Sequence, residues 1–194
     1  MNKGRIEAFS DGVIAIIITI MVLELKTPHG ETLHALLPLL PVALSYVLSF
    51  VYVGIYWNNH HHLFHAVKQV RGGVLWANLH LLFWLSIIPF VTSWMGENHF
   101  SQWPVIMYGV VLLMNALAFI LLSKILVIQA GPDSTLAKAV GKDRKGAISL
   151  SIYIISVCVA FVNPTISLAL YTLVAIIWFI PDRRIERVLL NTKE

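Results

Sequence analysis

The chain alternates long apolar runs with short polar breaks. Six runs reach or approach the roughly 20 residues that a helix needs to cross a hydrocarbon core: 9–25, 39–65, 74–95, 104–128, 147–162 and 166–180. The breaks carry turn chemistry. Lys26, Pro28 and Gly30 follow the first run, Arg71-Gly72-Gly73 the second, and Gly96-Glu97-Asn98 the third. The longest break, Gly131 to Gly146, is polar and basic, and Asn163-Pro164 forms a tight turn between the last two runs. No stretch alternates apolar and polar over the roughly ten residues of a barrel strand, which disfavours a β-barrel. The pattern predicts an all-α polytopic membrane protein, with residues 1–194 forming one domain of six transmembrane helices and no internal repeat.

Composition narrows the class. Hydrophobic residues make up 58% of the chain and charged residues 12%, about half the charge of a typical soluble domain. These numbers disfavour a soluble globular enzyme and exclude a disordered chain. The lone Cys158 lies inside an apolar run, so there is no disulfide framework and no thiolate metal cluster. Charge then gives the orientation. With the N-terminus cytoplasmic, the inside segments hold 13 of the 14 basic residues, and only Lys26 lies outside. This bias predicts a multi-pass protein of the cell membrane with both termini cytoplasmic. The +4 net charge is therefore a topology signal. It suits anionic membrane lipids and does not mark a nucleic-acid partner. Glu7 and Asp11 precede the first run and no small-residue cleavage site follows Leu25, so Met1 is expected to belong to the mature protein.

The first run is unusual. Between Asp11 and Glu24 lie 12 uncharged residues, a rise of roughly 18 Å against a core of roughly 30 Å. Charged groups at membrane depth face protein or water. The bracketing acids therefore point to a helix surrounded by protein with both ends opening into water; the plainer alternative is a short anchor helix whose acids snorkel into the headgroups. Helical spacing puts Gly12, Ile16, Thr19 and Leu23 on one stripe, with Ile20 beside it. Nearly every position is apolar, so periodicity alone does not choose the lined face. Thr19 is the one hydroxyl in mid-run, and by default it bonds back to its own helix.

Arg5, Phe9, Ser10 and Asp11 enter this run as an RxxxFSD segment, and Trp57, Asn58, Asn59, His60, His61 and His62 make a His-rich end to the second. The segment, the six-span layout and the small size resemble the endosomal and lysosomal potassium channel family, transmembrane protein 175, in its bacterial branch. The resemblance implies a potassium-permeable cation channel assembled as a homotetramer, with the first helix of each subunit lining a central pore and no TVGYG-type filter. It implies an aliphatic constriction seven residues beyond the signature Phe, at Ile16, a hydroxyl layer at Thr19 and a second aliphatic ring at Leu23. Ala15 stands where some relatives have serine, which removes any selectivity argument from a hydroxyl there.

On this reading a ring of Ile16 side chains gates by dewetting, Thr19 supplies partial coordination just beyond it, and Ile20 borders the ion pathway. Asp11 and Glu24 concentrate cations at the two mouths. The signature builds the pore instead of touching the ion: Arg5, Phe9, Ser10 and Asp11 are expected to clasp the first helix to Trp57, His60, His61 and neighbouring Asn residues on the second, and to His80 and Asn78 on the third. No cofactor is expected beyond the permeant K+.

The same residues admit other chemistries. His61 and His65 have i, i+4 spacing suitable for two zinc ligands, but no Cys or Glu at motif spacing completes a set. Histidines here could also sense pH. Intramembrane proteolysis lacks its Ser/His or paired Asp, so no enzyme is expected. The alternative is a secondary transporter, which predicts inverted repeats and broken helices; Pro89 is a candidate break without a matched partner. Trp57, Trp76, Trp94, Trp103 and Trp178 fit aromatic belts at run ends. The 133–145 segment suits either a short amphipathic interfacial helix or a plain solvated basic loop, and the tail from Asp182 to Glu194 suits a few helical turns along the membrane surface.

Overall fold

The computed structural model describes residues 3–67, 70–134, 136–137, 141 and 143–179. The expectations for the tail, for residue 180 and for most of the 135–142 stretch, together with Lys68, fall outside the described residues.

Among the described residues the chain forms six α-helices and no strand: α1 Lys3–Leu23, α2 Leu40–His65, α3 Gly72–Glu97, α4 Gln102–Ala130, α5 Arg144–Ala160 and α6 Pro164–Phe179. Helices α1, α3 and α4, and α2 with the 3-10 turn Leu33–Leu39 before it, are long and apolar enough to cross a membrane. Helices α5 and α6 are shorter, at 17 and 16 residues.

Local chemistry sets the boundaries. Helix α1 starts at Lys3, six residues before the apolar run, because Lys and Arg lose little rotamer freedom in a helix and water solvates their heads. Pro38 sits inside the 3-10 turn and Pro41 in the first turn of α2, where a missing N–H costs no helical bond. Helix α3 runs unbroken through Pro89. It ends in a turn with His99 and Phe100 both left-handed (φ 51° and 59°), and the Phe100 N–H closes it on the Met95 carbonyl at 3.0 Å. Asp143 caps α5 through the Gly146 N–H at 3.0 Å, and the Asn163 side chain accepts from Thr165 N–H at 3.0 Å at the start of α6.

Helix α3 holds the centre, packed against α1, α2 and α4; α5 and α6 pair with each other, α5 leans on α4, and α6 returns to α2. Two glycines permit the closest crossings. A Cβ on Gly96 would lie 2.7 Å from the Val42 Cα, and one on Gly109 would strike the Tyr171 ring. Most polar groups inside the bundle bond to one another, as a lipid surround demands; His80 Nδ1 and Asn115 Oδ1 are buried without a partner among the described residues. Ser49 Oγ bonds Thr92 at 2.7 Å and Tyr108 at 3.0 Å, and the Tyr52 hydroxyl donates to the Tyr171 carbonyl at 2.6 Å.

Candidate functional site

Helix α1 packs chiefly on α2 and α3 and so leaves one side uncovered. Its buried residues are Ile6, Ser10, Ile14, Ile17 and Met21, a single stripe at helical spacing. The opposite stripe is bare: Phe9 is 55% exposed, Ile16 59%, Ile20 43% and Leu23 75%, and Gly12 and Thr19 are exposed with them. Within one subunit this helix is therefore not surrounded by protein. The face that spacing had grouped is the unpartnered one, and its sequence is as apolar as the packed side. The Thr19 hydroxyl donates to the Ala15 carbonyl at 2.9 Å. That bond fixes the rotamer and uses the proton, leaving oxygen lone pairs as the group's remaining chemistry.

Behind the stripe, α1 is fastened at the Lys3 end. The Asn78 Nδ2 donates to Ser10 Oγ at 2.9 Å, and its Oδ1 lies 2.8 Å from His60 Nε2. All three side chains are buried, so one amide on α3 joins α1 to α2 with both its polar ends used. The His60 ring stacks on Phe64, with centroids 4.5 Å apart. Nearby, Trp57 Nε1 donates to Asp11 Oδ1 at 3.0 Å, and Lys3 Nζ reaches the Phe64 carbonyl at 3.3 Å, on the last turn of α2.

The other end is fastened more loosely. Ser93 Oγ donates to Glu24 Oε2 at 3.1 Å, and Lys26 pairs with Glu97 across open solvent. The Glu97 carboxylate beside it raises the Lys26 ammonium above its ordinary value. A cleft of about 490 Å³ opens between Ile20, Glu24, Pro89 and Ser93, so Glu24 faces water where α1 ends.

The clasp differs from the sequence expectation at several positions. Phe9 stands on the bare stripe of α1, turned away from α2 and α3, and Asn59 donates within α2 to the Ile55 carbonyl at 2.8 Å. Arg5 is exposed and makes no hydrogen bond or ion pair among the described residues, because it falls on the side of α1 turned away from α2 and α3. His61 lies outside the clasp, stacked between Trp57 and His65 at 6.3 and 6.1 Å. Its ring is nearly parallel to that of His65, an arrangement that does not converge two nitrogens on one ion. His80 accepts from Trp84 Nε1 at 3.0 Å within α3 and leaves Nδ1 buried without a partner; it does not reach α1. Asn78, named only among several partners, turns out to be the bridge. Ser93 and Lys3 went unnamed as anchors of α1, since single polar residues at run ends carry no motif.

Comparison with known proteins places this geometry. Residues 5–89, which hold α1, α2 and the clasp, match the family model described as endosomal/lysosomal potassium channel TMEM175. A protein of Chryseobacterium sp. (strain P1-3) named as a potassium channel is 54% identical over 97% of this chain and 98% of its own length. The chain belongs to the TMEM175 family. Human TMEM175, named as an endosomal/lysosomal proton channel, is 36% identical over 43% of this chain and 19% of its own length. Among solved structures, a lysosomal potassium-selective channel TMEM175 homolog from Chamaesiphon minutus superposes with a TM-score of 0.81 at 28% identity, covering 93% of this chain and 97% of that one. The TMEM175 assignment makes the chain a multi-pass membrane protein of an ion-channel family, which is not an enzyme class.

Proposed function

We propose that this TMEM175-family chain is a potassium-permeable channel that conducts K+ passively through a pore shared by four copies of itself, lined by the bare stripe of α1. One observation carries the reading: Ile16, Thr19, Ile20 and Leu23 stand exposed on one face of α1, while Ile14, Ile17 and Met21 on the other face are packed. A lipid-facing stripe would suit the apolar residues but not the ends, where Asp11 and Glu24 are both exposed. Water-filled mouths at those ends satisfy both acids.

The residues divide the work. One Ile16 from each subunit closes an apolar neck, where an ion shedding water meets no replacement ligand and the column dewets. Thr19, one helical turn on, offers hydroxyl oxygen to a partly dehydrated cation; K+, with the looser hydration shell, loses less there than Na+. Ile20 and Leu23 widen the path, and Asp11 and Glu24 raise cation concentration at its ends. The Asn78 bridge and the Trp57–Asp11 bond hold α1 at fixed rotation, so the stripe stays turned toward the axis. Both termini lie in the cytoplasm and the chain sits in the cell membrane, with the basic residues of that side among anionic headgroups. The conduction step uses no cofactor.

Planar-bilayer recording of the purified protein in asymmetric K+ and Na+ tests the reading. It predicts unitary currents that reverse on the K+ side of zero. Saturable, slow uptake without unitary currents would instead mark a carrier, although α3 lacks the interruption at Pro89 that a carrier's broken helix requires.

A further inference from the structure

Two clefts flank the Leu23 end of α1, and they divide the charges there. The cleft of about 490 Å³ that borders the stripe at Ile20 is lined by Glu24 and Glu97 and, among the described residues, by no basic side chain. The second, of about 360 Å³, shares both acids and adds Lys26, with Pro38, Leu39 and Val42 on its other wall. Lys26 thus occupies the cleft away from the stripe. It is also the one Lys or Arg of the chain that the charge bias puts outside.

Helix α3 does the sorting. Ser93 and Glu97 are one helical turn apart and face the end of α1 together. Ser93 Oγ donates to Glu24 Oε2 at 3.1 Å, while Glu97 Oε1 takes the Lys26 ammonium. Behind them the α3 backbone sits directly against α2, where a Cβ on Gly96 would lie 2.7 Å from the Val42 Cα. The Lys26 and Glu97 side chains are 73% and 41% exposed, and a pair this open adds little to folding stability. Its effect is to fix where the positive charge stands. Glu97, and more weakly Glu24, raise the Lys26 ammonium above its ordinary value. Lys26 follows Glu24 by only two residues, so an ammonium released from Glu97 has Glu24 as its next partner.

We propose that Glu97 is a positioning residue for conduction: it holds Lys26 off Glu24, so that the outer mouth keeps a free carboxylate where K+ enters. The proposal rests on the channel reading above, with Glu24 at that mouth. Glu24, Glu97 and Lys26 together carry one negative charge, and the Lys26–Glu97 pair leaves it on Glu24, beside the ion pathway.

Single-channel recording of the full-length protein tests it at an outer ionic strength on the order of 10 mM, where charges act over about 30 Å. Glu97→Gln keeps the shape of the side chain and should lower inward K+ conductance about twofold, with outward conductance and reversal potential unchanged. Adding Lys26→Gln should restore the wild-type value, and Lys26→Gln alone should raise it. Glu31→Gln removes another exposed acid of the same outer segment without freeing Lys26, and should change inward conductance much less. The Glu97→Gln deficit should vanish near 1 M salt, where the range falls to about 3 Å; a merely structural loss would persist. Wild-type currents with Glu97→Gln unchanged, a deficit that Lys26→Gln does not restore, or one matched by Glu31→Gln would overturn this proposal alone. Wild-type protein without unitary currents would overturn the channel reading and this proposal with it.

Discussion

At the scale of single residues, the clasp and the stripe make opposite demands on chemistry. Asn78 works because both its amide ends are used inside the bundle, toward Ser10 and His60. Asn78→Leu strands two buried polar groups and should cost about 1–3 kcal/mol, read as a lowered unfolding temperature in detergent. Ser86→Ala, which removes only a bond to the Phe83 carbonyl of the same helix, should leave that temperature nearly unchanged. Within its own subunit Ile16 has no packing to lose, standing 59% exposed. Ile16→Asn should leave unfolding unaffected and raise unitary K+ conductance by letting water persist in the neck. Thr19→Ala removes the hydroxyl without touching the packed face and should lower the K+ over Na+ permeability ratio, measured as a shift of reversal potential.

At the scale of elements, much of the architecture was legible and the choice of faces was not. The six runs and their breaks announced six helices, because Pro, Gly and Asn residues at the breaks act through local backbone preference alone. The clasp was partly legible: polar side chains in an apolar run must find each other, so Ser10, His60 and Asn78 were candidates, but which amide spans the gap depends on helix rotation. The stripe on α1 was legible only as a grouping. Ile14 and Ile16 are the same residue type, and burial separates them only once α2 and α3 are in place. The small cavity lined by Tyr56, Phe119, Tyr153 and Trp178 could not be read at all, since these residues lie far apart in sequence. Helix crossings add a prediction of their own. Gly96→Ala places a methyl carbon 2.7 Å from the Val42 Cα, an obstacle of backbone that cannot rotate away. The variant should lose about 1–3 kcal/mol, visible as a lower unfolding temperature, as α2 and α3 are forced apart.

At the scale of the whole molecule, one subunit is incomplete as a channel. A single bare helix face encloses nothing, and its acidic ends need water that lipid does not supply. Several copies turning α1 inward resolve both problems, and mass measurement of the protein in nanodiscs should return four copies. The central claim is that the Ile16 face of α1, and not its Ile17 face, borders the ions. Cysteine accessibility under current recording tests it most directly: in a Cys158→Ser background, single cysteines at Ile16, Thr19 and Leu23 are compared with single cysteines at Ile14 and Ile17. The account predicts that a charged, water-soluble methanethiosulfonate alters the K+ current at the first three positions and leaves it unchanged at the other two. Current that responds at Ile14 or Ile17, or that stays unchanged while mass spectrometry shows the Ile16 and Thr19 positions fully modified, would contradict it.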